Sequence, residues 1–111
     1  MDLKVNNTKP LTFTAIKYNM AKDLLLSRLN DKQWDEFMSI VESQKDNPVD
    51  VVLFGDRSAG RLSGMVSYID EFNGFAKQHS QNLFFESPLR FIKRMVRYAD
   101  EEKTKLERMW E

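Results

Sequence analysis

Residues 49–54, Val-Asp-Val-Val-Leu-Phe, decide what this chain can fold into, because they suit a strand or a helix and the fold class follows from which it is. Their β-branched content favours a strand. Asn47 followed by Pro48 favours a helix, with Asn47 as N-cap and the proline at the first helical position, where its missing N–H costs nothing. A strand needs a partner strand, and the weak candidates elsewhere are the short runs 3–5 and 83–85. The helix is therefore preferred. The expected fold is all-α, a compact bundle of four or five helices with a long C-terminal helix, and a short β element at 49–54 is the minor alternative.

The rest of the chain supplies helical patterns to fill that bundle. Residues 1–11 are polar and read as a loose arm ahead of a single domain spanning 1–111. Phe13, Ile16, Met20 and Leu24 recur at intervals of three and four, with Ala21, Leu25 and Leu29 widening the stripe, so a first helix is expected over 13–29 with Thr12 as its cap. Asn30 and Gln33 have the spacing of a capping box, and Leu29 and Trp34 that of a hydrophobic staple. The second helix then buries Trp34, Phe37, Met38 and Val41, forming an αα-hairpin with the first. Ser58 is placed to cap a third helix carrying Leu62, Met65, Val66, Ile69 and Phe72, with Gly60 and Gly64 on one face for close packing. Asn73-Gly74 stops that helix, and 79–82 is a polar connector. Leu83-Phe84-Phe85 either plugs the end of the core or, if exposed, marks a contact surface.

Ser87-Pro88 opens the last helix, which runs to about residue 109, a length of about 33 Å. Ile92, Met95, Val96, Ala99, Leu106 and Trp110 fall on one side of it. Arg90, Lys93, Arg94 and Arg97 fall on the other, with no acid among them. Four like charges on one helical face repel one another, which points to an anionic counterpart. That counterpart is the acidic second helix (Asp31, Asp35, Glu36, Glu42) of the same or another copy, a different protein, or nucleic-acid phosphate, and the alternative is a stripe that is merely solvated. The last two turns offer only Leu106, Met109 and Trp110 as apolar contacts, which suits docking on another chain and makes a homo-oligomer through this helix an open option.

Composition narrows the chemistry. Acids and bases balance at 17 each, which argues against indiscriminate nucleic-acid binding, yet residues 31–50 carry −4 while 88–99 carry +4. There is no cysteine and one histidine, so thiol chemistry and ordinary metal ligation are excluded; no metal or other cofactor is expected. No apolar run approaches a membrane span and no leader core stands at the start, so no membrane association and a cytoplasmic location are expected.

Gly55 and Gly60 have the spacing of a phosphate-binding loop, but Arg61 stands where its lysine belongs and Leu62 where its hydroxyl belongs. What remains is a possible anion-binding loop at Arg57, Ser58 and Arg61. His79 lies in a polar segment with no nucleophile elbow near it, and no catalytic set is nominated. No helix-turn-helix is read, because the connection between the expected helices 30–43 and 58–72 is far longer than that motif's short turn. The function expected is non-enzymatic: a small protein-binding module that regulates or inhibits a partner, of the kind common among phage and mobile-element inhibitors of host factors. Arg90, Lys93, Arg94 and Arg97 are its partner-binding residues. The alternative is a nucleic-acid-associated subunit that binds phosphate through the same stripe.

Overall fold

A computed structural model describes residues 15–56 and 58–109. Among them the chain forms three α-helices and a four-stranded mixed sheet, which corrects the all-α expectation. The elements are β1 (Ile16–Lys17), a 3₁₀ turn (Asn19–Ala21), α1 (Lys22–Arg28), α2 (Asp31–Ser43), β2 (Asp50–Asp56), β3 (Arg61–Ile69), β4 (Gly74–Ser80) and α3 (Pro88–Met109). Sheet order follows the chain, β1-β2-β3-β4. The β1–β2 pair is parallel, and β2, β3 and β4 form an antiparallel meander.

The segment at the crux of the fold is a strand. Asn47 is a cap of a different kind from the one expected: its side-chain oxygen accepts from the Val49 N–H at 2.9 Å, a turn that launches β2. Its buried amide donates to Gln44 at 2.9 Å and to Asp100 at 3.1 Å, tying the end of α2 to α3. The antiparallel partner of β2 and the strand beyond it lie in 61–80. Residues 61–69 of the helix expected after Ser58 make β3, and β4 takes in Gly74 of the expected stop and His79 and Ser80 of the expected connector. Side chains of β3 alternate, with Leu62, Gly64 and Val66 buried and Ser63, Met65 and Ser67 half-exposed.

Helices α1 and α3 rest on the face of the sheet that carries Ile16, Val51, Leu53, Leu62 and Val66. Met95 of α3 reaches the sheet over Gly64, where an added Cβ would stand 2.8 Å from its terminal methyl. The glycine is thus a seat for the helix. Phe37, Phe91, Ile92, Leu25 and Leu53 complete a core excluded from solvent. The expected helix over 13–29 shrinks to the seven residues of α1, because Ile16 pairs with Val51 in the sheet and Tyr18 turns into the 3₁₀ segment. Residues 1–11, Phe13 and Arg57 lie outside the described residues, as do the 3–5 strand candidate and Trp110.

Two expectations hold in detail. The capping box closes α2, with the Gln33 N–H donating to the Asn30 side chain at 2.8 Å and the Asn30 N–H donating to the Gln33 side chain at 2.9 Å. Helix α3 starts at Pro88 and runs to Met109. Tyr18, Trp34 and Phe37 pack ring to ring, with centroids 5.1–6.2 Å apart, and lock α2 onto the 3₁₀ turn.

Candidate functional site

Helix α3 lies along β4 in the opposite direction. Lys77 pairs with Glu102 at 2.8 Å, the His79 ring packs on Tyr98 at 4.6 Å, and Arg94 donates to the Ser80 carbonyl at 2.8 Å. Between the end of β4 and the start of α3 runs a short connection that holds the site together. Gln81, 5% exposed, accepts from the Leu62 N–H at 2.9 Å and donates to the Glu86 carbonyl at 2.9 Å. The Glu86 N–H donates to the Asn82 carbonyl, the Asn82 N–H to the Glu86 carboxylate, and the Phe84 N–H to the Asn82 side chain, at 2.9, 3.1 and 3.0 Å.

This braced turn pushes its aromatic side chains outward. Phe84 is 89% exposed and Phe85 79% exposed, with Leu83 also exposed beside them. The run 83–85 is therefore neither a strand nor a plug for the core. Phe85 forms the rim of an open basin of about 680 Å³, lined also by Ser80, Asn82, Glu86, Arg90, Lys93, Arg94 and Arg97.

The four cations of the stripe are brought to this one place, but they are not equivalent. Arg94 donates from Nε and Nη2 to the two oxygens of Glu86, at 2.8 and 2.9 Å, and stacks over Phe91 and Tyr98. Hydrogen bonding to Glu86 raises the guanidinium's already high pKa, and the same bonds hold the Glu86 carboxyl below the usual carboxylate range. Lys93 pairs with Glu36 of α2 at 2.6 Å. The acidic second helix thus answers one charge of the stripe within the same chain. Arg90 and Arg97 have no carboxylate within ion-pair distance among the described residues; Arg97 lies over the Tyr98 ring. The stripe reduces to two guanidinium groups without a carboxylate partner among the described residues, about 10.5 Å apart along the helix.

Among the described residues of the possible anion loop, Ser58 is already engaged by a carboxylate. The Asp56 carboxylate accepts from the Ser58 N–H, the Ser58 hydroxyl and the Ala59 N–H at 3.1, 2.8 and 3.2 Å, and the Gly60 N–H donates to the Asp56 carbonyl. The hydroxyl of Ser58, the Ala59 amide and Arg61 keep Asp56 acidic. A phosphate there would have to displace a carboxylate from donors it already fills. Gly60, at φ +67°, completes this tight β2–β3 turn. Ser58 caps no helix, and Arg61 begins β3.

Among the described residues no cluster of three or more His, Asp or Glu side chains is placed to hold a metal ion. No described helix is long and apolar enough to cross a membrane. Burial, and then the charges of Arg94 and Lys77, push the pKa of His79 down. Sequence reasoning found the stripe but missed its division into struts and free charges, because Glu86 lies outside the helix and Glu36 is distant in the chain. Comparison with protein-family models, curated proteins and solved structures gives no match.

Proposed function

We propose that this chain is a small, non-enzymatic, cytoplasmic protein-binding module that regulates or inhibits a partner protein, which it grips through Phe84, Phe85, Arg90 and Arg97. One observation carries this proposal: Phe84 and Phe85 stand in solvent on a turn braced by at least five hydrogen bonds, with Phe85 on the rim of a basin whose Arg90 and Arg97 have no carboxylate partner among the described residues. Burying a phenylalanine side chain is worth roughly 1.5–3 kcal/mol, so a fold that holds two of them outward forgoes a large share of a small domain's stability. Rigid aromatic anchors flanked by arginine are the residue types that dominate protein interfaces, and a pre-braced turn lowers the ordering cost of binding.

Nucleic acid is the weaker fit. With Glu36 and Glu86 neutralising half of the stripe, only Arg90 and Arg97 remain for phosphate, and two phosphate contacts give little affinity at physiological salt.

The test is capture from a lysate of the native host with three immobilised forms: the wild-type chain, Phe84→Ser with Phe85→Ser, and Arg90→Glu with Arg97→Glu. The expected result is a defined set of proteins bound by the wild type and lost from both variants, unchanged by nuclease treatment. Retention of the same set by both variants overturns the proposal. Loss of all binding on nuclease treatment turns it in favour of nucleic acid.

A further inference from the structure

The free edge of the sheet adjoins this same surface. In the β3–β4 ladder the Gln81 N–H donates to the Leu62 carbonyl and the Asp70 N–H to the Asn73 carbonyl. Antiparallel pairing alternates, so Phe75, Lys77 and His79 direct their backbone groups toward β3. Gly74, Ala76, Gln78 and Ser80 direct theirs outward. The Arg94 guanidinium confirms that direction, because it takes the Ser80 carbonyl from the outside at 2.8 Å. β4 is the last strand of the sheet, and among the described residues nothing pairs with the outer N–H and C=O groups of Ala76 and Gln78. The side chains of both residues are exposed as well.

This free ladder ends at Ser80, where the basin of Arg90 and Arg97 begins. A strand laid on the edge of β4 would run beside α3 and carry its α3-facing side chains past two unpaired arginines. Successive same-face side chains on a strand are about 6.7 Å apart, so acids two or four positions apart fall within reach of both.

We propose that the partner contributes an extended acidic segment, which adds to the sheet as a fifth strand on β4. Its main chain pairs with Ala76 and Gln78, its acids meet Arg90 and Arg97, and Phe85 covers one end of it. This rests on the protein-binding reading above and specifies its mode. A second copy of this chain is a poorer occupant. Its own edge strand, Gly74–Ser80, carries Lys77 and no acid, so it would bring nothing to meet Arg90 and Arg97.

The probe is a synthetic capped octapeptide alternating glutamate with valine, compared with the same peptide carrying lysine for glutamate. Amide exchange and chemical shifts of the full chain are followed by NMR as each is added. The expected result is that the acidic peptide alone slows exchange at the Ala76 and Gln78 amides by roughly tenfold at saturation. Gln78→Pro removes one outward N–H at an edge position where proline is tolerated. With its fold verified by circular dichroism, it should weaken binding at least about tenfold, as should Arg90→Glu with Arg97→Glu.

Three outcomes overturn the inference: binding with both amides exchanging at the free rate, no binding at roughly 1 mM peptide, or self-association through β4 in the free chain. If the Phe84 and Phe85 variant loses its captured proteins while any of these holds, strand addition fails and the binding module stands. If capture survives both in that variant and in Arg90→Glu with Arg97→Glu, the module itself fails.

Discussion

Arg94 donates two parallel hydrogen bonds to Glu86, at 2.8 and 2.9 Å, and so converts the centre of a basic helical stripe into a strut that holds the Phe84–Phe85 turn. The same guanidinium reaches the Ser80 carbonyl, so helix, turn and edge strand meet on one side chain.

Arg94→Ala should lower stability by about 2–3 kcal/mol, since both members of the pair are mostly shielded from solvent and Glu86 is left unpaired. Arg94→Lys should recover only part of that, because an ammonium lacks the fork that matches a carboxylate. Arg90→Ala and Arg97→Ala should each stay within about 0.5 kcal/mol of wild type. Urea denaturation of the four variants reads out the difference between strut and free charge.

Acid should weaken the fold through Glu86. Hydrogen bonding from Arg94 holds its folded pKa below the unfolded value of about 4.3. Its contribution is therefore present above about pH 4.3 and is lost as the pH falls through the lower folded value. Glu86→Gln, less stable at neutral pH, should show a flatter acid limb when thermal unfolding is followed across that range.

His79 acts in the same direction at higher pH. Burial, with Arg94 and Lys77 nearby, holds its folded pKa below the ordinary imidazole value of about 6.5. Above that pH both states are neutral and nothing is lost. As the pH falls the unfolded chain takes the proton first, and stability declines until the folded imidazole is protonated too. An NMR titration of the ring protons should give a midpoint below that of the denatured chain, and His79→Phe should remove this part of the pH dependence.

Gly64→Val should be among the most damaging single changes in the sheet. A Cβ there would stand 2.8 Å from the Met95 methyl and 3.3 Å from the Val52 carbonyl, beneath a fully buried helix face. Overpacking of this kind costs about 1–3 kcal/mol, and Gly64→Ala should lie at the lower end. Melting temperatures of the two variants check it.

The helices with local signals were legible in the sequence: the Asn30–Gln33 capping box and the Ser87-Pro88 start each describe their element from its own residues. The sheet was not. In β3 the buried positions Leu62 and Val66 also lie four apart, as on a helix, and Gly64 leaves the inward slot between them without a side chain. The alternation that marks a strand is thereby hidden. β4 reads Gly-Phe-Ala-Lys-Gln-His-Ser, with no β-branched residue, because an exposed edge strand packs few side chains. Without those two strands the sequence offers β2 no partner, and the preference for a helix there holds only in a chain lacking a sheet. At the candidate site the composition of the stripe was visible, whereas its division into paired and free cations depended on contacts 8 and 57 residues apart in sequence, Arg94 with Glu86 and Lys93 with Glu36.

Hydroxyl-radical footprinting of Phe84 and Phe85, in the free chain and in the complex captured from its host, tests the central claim most directly. Both rings stand in solvent in the free chain and should oxidise readily there. The binding-module proposal predicts strong protection of both in the complex, with Tyr18 and Trp34 unchanged as internal references. A stable complex in which Phe84 and Phe85 oxidise at the free rate would contradict it.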